Sequence, residues 1–319
     1  MKQRATYLDA VGGIMILYMI YGHICLWTEL RQLEVFSRLL FFFMPWFFFK
    51  SGMFYRKGSV GEVIMKGVKR LLVPYFVFSI VGYVSFAFMQ RNMHTAPVDY
   101  YLLNPLRQVF HEGAVSGNSP VWFLFSLFLV RILFTEMQKL KKFSLVGVVL
   151  LGLSGYLLNV LGVKDFFYIS NIMTGTFFFG LGYFCKEIQF ERYWFAICLL
   201  LYGIIVVISP SYIDFRSNSG SGHYLLWMVS AFAGIVTVNN ILKILPFSFP
   251  FLSALGRSSM TYYVLHWPIM ALLNIVFRQW LEIENGILMF WIYAAGIMLF
   301  SYLADRLLQK KTLRWIIGN

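Results

Sequence analysis

The sequence predicts an all-α integral membrane protein, a bundle of about ten transmembrane helices, on three observations. Of its 319 residues 59% are hydrophobic and 19% aromatic, while only 13% are charged, about half of what a water-facing folded surface carries. Apolar runs of about 16 to 20 residues recur along the whole chain, long enough to cross a hydrocarbon core. The basic residues collect in short clusters between those runs, the pattern that orients membrane helices. A net charge of +13 would suit nucleic acid if it were concentrated on one face, but it is divided among these clusters. No nucleic-acid partner is expected, and membrane lipid is the expected surrounding.

Ten segments follow in order. The first, 8–27, comes after Lys2 and Arg4 as a secretory signal would, but it lacks a small-residue cleavage site and contains His23, so it reads as a retained helix. The second, 38–54, holds FFFMPWFFFKSGMF, where Pro45 is expected to free the carbonyl of Phe41 and Lys50 lies near one end. The third, 71–89, is entered through KRLLVPYF, and the fourth, 120–134, opens within GNSPVWFL. Segments 143–162, 168–185, 193–209 and 223–242 are apolar spans with few ionisable residues. The ninth, 258–277, reads GRSSMTYYVLHWP from Gly256, with Ser258 or Ser259 as N-cap and Pro268 freeing the carbonyl of Val264. The tenth is 287–304. The longest connections are 55–70 and 90–119, and no repeat, low-complexity tract or second soluble domain interrupts residues 1–319, which read as one membrane domain.

With an even helix count and both termini in the cytoplasm, 18 of the 27 basic residues fall on the cytoplasmic side, seven outside, and Lys50 and Arg131 within helices. That asymmetry predicts a multi-pass protein of the cytoplasmic (inner) membrane. Cys25, Cys185 and Cys198 all lie in apolar runs without metal-ligand spacing, so no metal is expected.

Ionisable side chains inside a bilayer are costly and mark candidate sites. In the first helix Asp9 and His23 share a face, 14 residues and roughly 21 Å apart; they cannot touch. Asp9 is expected to pair with a base such as Arg4, Lys69 or Arg70. An imidazole at His23 is a candidate general base, or else a packed histidine bonded to a neighbouring carbonyl. Lys66, Lys69 and Arg70 form a cluster able to hold phosphate oxygens, although topology alone also asks for positive charge there. Lys50 can snorkel to the interface or join that cluster. Asn118 and Trp122 stand at an outer helix mouth, where the tryptophan can anchor the interface or stack on a sugar. Tyr262 lies one turn before His266, a second histidine inside a span.

Together these residues resemble the acyltransferase 3 family of membrane acyltransferases. The resemblance runs through Arg4, YLDAVGGIMI and His23, then MPWFFFKSG, KRLLVPY, PVWFL and SSMTYYVLHWP, in that order across most of the chain. It implies transfer of an acyl group, usually acetyl, from cytoplasmic acyl-CoA to a sugar of an envelope polysaccharide, lipopolysaccharide or related glycan. It makes His23 the catalytic residue, Arg4 and Arg70 donor-binding groups, and acetyl-CoA the acyl donor. The sequence departs from the family at the arginine pair before the third helix, here Lys66, Lys69 and Arg70, and at Lys50, where an apolar residue is commoner. Donor binding is thus expected of Arg4, Asp9, Lys50, Lys66, Lys69 and Arg70, and acceptor or structural roles of Asn118, Trp122, Tyr262 and His266. The rival class is a transporter or flippase for a polysaccharide or lipid-linked sugar, which would use similar helices but favours inverted repeats that the halves do not show.

Overall fold

The computed structural model describes residues 6–318 apart from 31–32, 34–35, 37–38, 92–97, 164–168, 189–191, 209–211 and 247. Arg4 lies outside the described residues. The chain runs through α1 (Thr6–Thr28), α2 (Phe43–Met53), α3 (Val60–Gly67), a π turn (Val68–Leu72), α4 (Val73–Arg91), α5 (Val98–Glu112) and α6 (Trp122–Met137). It continues through α7 (Ser144–Val160), α8 (Ile169–Cys185), α9 (Arg192–Ile208), a hairpin of β1 (Tyr212–Asp214) and β2 (Ser219–Ser221), α10 (Tyr224–Ile244), α11 (Pro250–Arg257), α12 (Ser259–Asn274) and α13 (Gly286–Leu308).

Among the described residues six helical runs are long and apolar enough to cross a membrane, fewer than the ten expected. One of them, Ser119–Val160, is 42 residues long and bends at Lys141, whose φ of 51° breaks the helix into the legs α6 and α7. The apolar α8 and α9 have 17 residues each and α2 only 11. α2 begins at Phe43, later than the sequence suggested, so Pro45 sits in the first turn where no N–H is missed. Its neighbour Trp46 donates its backbone N–H to Phe42 at 2.8 Å, and no bond to Phe41 is lost.

Large apolar side chains stay outside: Val207 and Ile208 of α9 are 80% and 77% exposed. Water would penalise such a surface, whereas lipid does not. Inside, helices approach through glycine rather than through a hydrophobic driving force. A Cβ on Gly13 would lie 2.1 Å from the Leu252 carbonyl oxygen, and one on Gly256 1.7 Å from that of Asp9, so α1 and α11 touch backbone to backbone. α2 and α8 repeat the device, with Gly52 against the Phe179 carbonyl and Gly182 against that of Phe49, each at 1.9 Å. Small residues at crossings are the usual way membrane helices gain close packing.

The π turn has a local cause. Pro74 has no N–H to return to the Arg70 carbonyl, and the ladder shifts so that Val73 donates to Val68 instead. The freed backbone of Arg70 is backed by Gly318, whose φ of 74° suits glycine and whose Cβ, if present, would lie 2.4 Å from the Arg70 oxygen. Ser253 of α11 donates to the Thr6 carbonyl at 3.4 Å, and Asp305 of α13 accepts from Ser258 and Thr261 at 2.8 Å each. The start of α1, the start of α12, the end of α13 and the Arg70 turn therefore gather at one end of the bundle. Ser258 holds the N-cap position expected of it, but its hydroxyl is bonded to Asp305 rather than to the helix.

The hairpin closes the other end, and the sequence reading had no strand there. Tyr212 pairs with Ser221 and Asp214 with Ser219. The Asp214 carboxylate accepts from the Arg216 N–H and the Ser217 hydroxyl, an Asx turn, and Asn218 takes the left-handed φ of 49° that asparagine tolerates. Phe215 reaches from this turn into the bundle, stacking on Phe48 of α2 at 5.1 Å and on Trp122 of α6 at 6.2 Å. Arg216 bonds Glu112 and Ser119, and Asn218 is held by Gly155, Asn159 and Tyr224.

Candidate active site

A cavity of about 630 Å³ opens from the Lys66 and Arg70 end. Its wall carries five cations, Lys50, Arg56, Lys66, Arg70 and Arg131, against one carboxylate, Glu62. That carboxylate is already spent on Lys66 at 3.6 Å, an exposed pair worth little. Among the described residues no carboxylate pairs with Arg56, Arg70 or Arg131. Deeper in, the wall turns apolar and aromatic through Leu127, Leu124, Phe123, Ile16 and Tyr263.

Lys50 enters this wall from the last turn of α2. Its ammonium lies over the Trp46 ring at 5.0 Å and donates to the Leu8 carbonyl at 3.4 Å. α1 accommodates it with Gly12, where a Cβ would stand 3.0 Å from Nζ. Lys69 does not line the cavity, and Asp9 is buried at the α1 and α11 crossing instead of on the wall.

Beyond the aromatic end stand two histidines. His23 Nδ1 and His266 Nε2 are 2.8 Å apart with the rings within 4° of parallel, although 243 residues separate them in sequence. His266 is fully buried, and its Nδ1 lies 2.7 Å from the Tyr263 carbonyl and 3.2 Å from that of Tyr262. A carbonyl only accepts, so His266 Nδ1 carries the proton and its Nε2 is an acceptor when the ring is neutral. His23 then donates from Nδ1, which leaves the lone pair on His23 Nε2. One ring positions the other and presents a single basic nitrogen, directed away from the pair.

The cavity and the pair share two structural members. Ile16 on the wall and His23 occupy the same face of α1, seven residues and about 10 Å apart. Tyr263 lines the cavity with its side chain while its carbonyl holds His266. On the other side of His23, Trp267 meets it edge to face at 5.1 Å, and Trp27 meets Trp267 at 5.4 Å. His23 is half-buried and thus reachable. Among the described residues no third histidine, cysteine or carboxylate joins the pair as a metal ligand would.

Asn118 braces α12 at its weak point. Pro268 leaves the Val264 carbonyl without its helical partner, and the fully buried Asn118 amide donates to it at 2.9 Å and to the Phe78 carbonyl at 3.1 Å. Gly82 and Gly117 make room, since a Cβ on either would collide with its neighbour. Trp122 is buried against Phe215, and Tyr262 contributes its backbone carbonyl to His266. The sequence suggested separate roles for the two histidines, His23 catalytic and His266 acceptor-binding or structural, rather than a pair, and placed Arg131 only within a helix. An arginine in the interior of an apolar helix was the available signal.

No curated protein and no solved structure matches the chain. The family profile of acyltransferase 3, described as an acyltransferase domain, matches residues 6–306, a stretch that contains the cavity, the hairpin and both histidines. The chain belongs to the acyltransferase 3 family of membrane acyltransferases.

Proposed function

We propose that this single membrane domain transfers an acyl group, acetyl in the first instance, from acyl-CoA to a hydroxyl of an envelope glycan or lipid-linked sugar. The observation that carries this reading is a histidine pair whose one free nitrogen stands beyond the aromatic end of a cavity ringed by cations. The basic end would face the cytoplasm, where acyl-CoA is found, and both termini with it. In the cytoplasmic membrane the acceptor would reach His23 from the side of Trp27 and Trp267.

His23 Nε2 takes the proton of the acceptor hydroxyl as its oxygen attacks the thioester carbonyl. The imidazolium keeps its Nδ1–H on His266 Nε2, and His266 keeps its own Nδ1–H on the Tyr263 carbonyl, so the new charge is held within a hydrogen-bonded chain. Collapse of the tetrahedral adduct breaks the carbon–sulfur bond, and the proton on Nε2 passes to the departing thiolate. Acyl ester and free coenzyme A thiol result.

The test is to incubate the purified protein with acetyl-CoA labelled in its acetyl group and with candidate glycans, then to weigh the products. A labelled glycan with equimolar free thiol is expected. Glycan moved across a vesicle membrane without label incorporation would replace the enzyme with a transporter.

A further inference from the structure

We propose that Arg131, within the cavity, and Arg70, at its opening, together form the site for the diphosphate of the coenzyme A donor. This rests on the donor reading above.

Leu124, Leu127 and Arg131 fall at i, i+3 and i+7 on α6, one stripe along the cavity wall. Burial grades along it, from the fully enclosed Leu124 through Leu127 to the half-buried Arg131, with Lys66 and Glu62 exposed beyond. Anything extended outward from the histidines therefore meets Leu124 and Leu127 first and Arg131 as the first charge on this stripe. Coenzyme A has that order: thioester, uncharged pantetheine arm, diphosphate, then nucleoside with its 3′-phosphate. The group joined directly to the arm is the diphosphate.

Two independent features of Arg131 point to an absent anion. Its Nε is buried without a hydrogen-bond partner, and among the described residues neither its guanidinium nor that of Arg70 on the same cavity forms an ion pair, the Glu62 carboxylate being engaged by Lys66. Two like charges on one cavity wall repel each other, and the buried Nε of the half-buried Arg131 goes without a hydrogen bond at a cost. A dianionic ligand removes both penalties, and planar guanidinium forks match phosphate oxygens. The helix backbone at this point is tied to its neighbour: Thr135 donates to the Arg131 carbonyl at 2.6 Å, and the Tyr55 hydroxyl meets Thr135 at 2.9 Å.

The experiment measures binding of coenzyme A, 3′-dephospho-coenzyme A and pantetheine, by competition against labelled coenzyme A, to wild-type protein, R131Q and R131K in phosphatidylcholine nanodiscs. R131Q is expected to weaken both phosphate-bearing ligands equally, roughly 10- to 100-fold, as loss of a charged hydrogen bond does. Pantetheine should be unaffected, and R131K should fall between. An equal loss for pantetheine would mean that the cavity has collapsed. A loss confined to coenzyme A itself would assign Arg131 to the 3′-phosphate. Unchanged binding would leave the arginine without a ligand role, and displacement of coenzyme A by added phosphatidylglycerol in place of a diphosphate dependence would assign the pair to a lipid headgroup. Each of these overturns the proposal. Unchanged binding in R131Q with transfer intact overturns the diphosphate site alone, whereas Arg131-dependent binding with no transfer by wild-type protein overturns the acyltransferase reading and leaves the site standing.

Discussion

At the hairpin end Arg216 gives its guanidinium to Glu112 and Ser119, and Asn218 is bonded on three sides. At the other end Arg70 and Arg131 share a cavity whose one carboxylate is engaged elsewhere. Both regions bring cations into an apolar bundle, but one settles its polar groups internally and the other leaves them facing open space. A polar group satisfied within the fold specifies structure. One that the fold leaves unsatisfied is a place where binding energy remains to be gained. His23 and His266 stand between the two regions and partake of both, with three ring nitrogens engaged and one open.

The sharpest challenge to this contrast is His23→Ala, which removes the open nitrogen. Single-turnover transfer at saturating donor is expected to fall about 100- to 10,000-fold, with the melting temperature and donor affinity close to wild type. His266→Ala leaves the base but unseats it, and a loss of about 10- to 100-fold is expected, as for groups that orient a catalytic partner. If His266→Ala were folded and dead while His23→Ala stayed active, the two roles would be exchanged.

Phe215→Ala tests the opposite end. Deleting a large aromatic from the core costs about 3 to 5 kcal/mol, so unfolding in detergent should shift strongly while coenzyme A affinity in the surviving folded protein does not. A weaker donor with unchanged stability would make the hairpin part of the donor path. Asn118→Ala strands the Val264 carbonyl, which Pro268 already leaves without a helical partner, at a cost of about 1 to 3 kcal/mol, read in the same unfolding assay. No loss there would show that Pro268 needs no brace. The smallest effect belongs to Lys66→Ala at the exposed mouth. Donor binding should weaken by less than about 1 kcal/mol, and the difference should vanish in high salt; a large, salt-insensitive loss would place Lys66 inside the anion site.

The long apolar helices were legible as apolar runs, and His23, Arg70 and Lys50 stood out as ionisable groups in or beside them, whereas α3, α5 and α11 fall in stretches that read as connections. The pairing of His23 with His266 was not legible, since periodicity relates residues on one helix and these lie 243 apart. The count of spans differed for a reason composition does not carry: α6 and α7, separated in sequence by EMQKLKK, run on as one 42-residue helix bent at Lys141, and α2, α8 and α9 are only 11, 17 and 17 residues long. The hairpin was readable in principle, as DFRSNSGS is dense in turn formers, but an apolar span was expected on either side and the segment read as connection. Pro74, four residues after Arg70, was the unread sign of the π turn.

That turn bears on how the protein can be handled at all. Gly318 fits against the Arg70 backbone only because it has no side chain and a left-handed φ, and the next residue is Asn319. An affinity tag or reporter fused flush to Asn319 would lever on the segment that aims Arg70 into the cavity, so a protein purified that way could misreport its own ligand affinity. A flexible spacer after Asn319, or a cleavable handle compared before and after removal, separates what the molecule does from what the handle does to it.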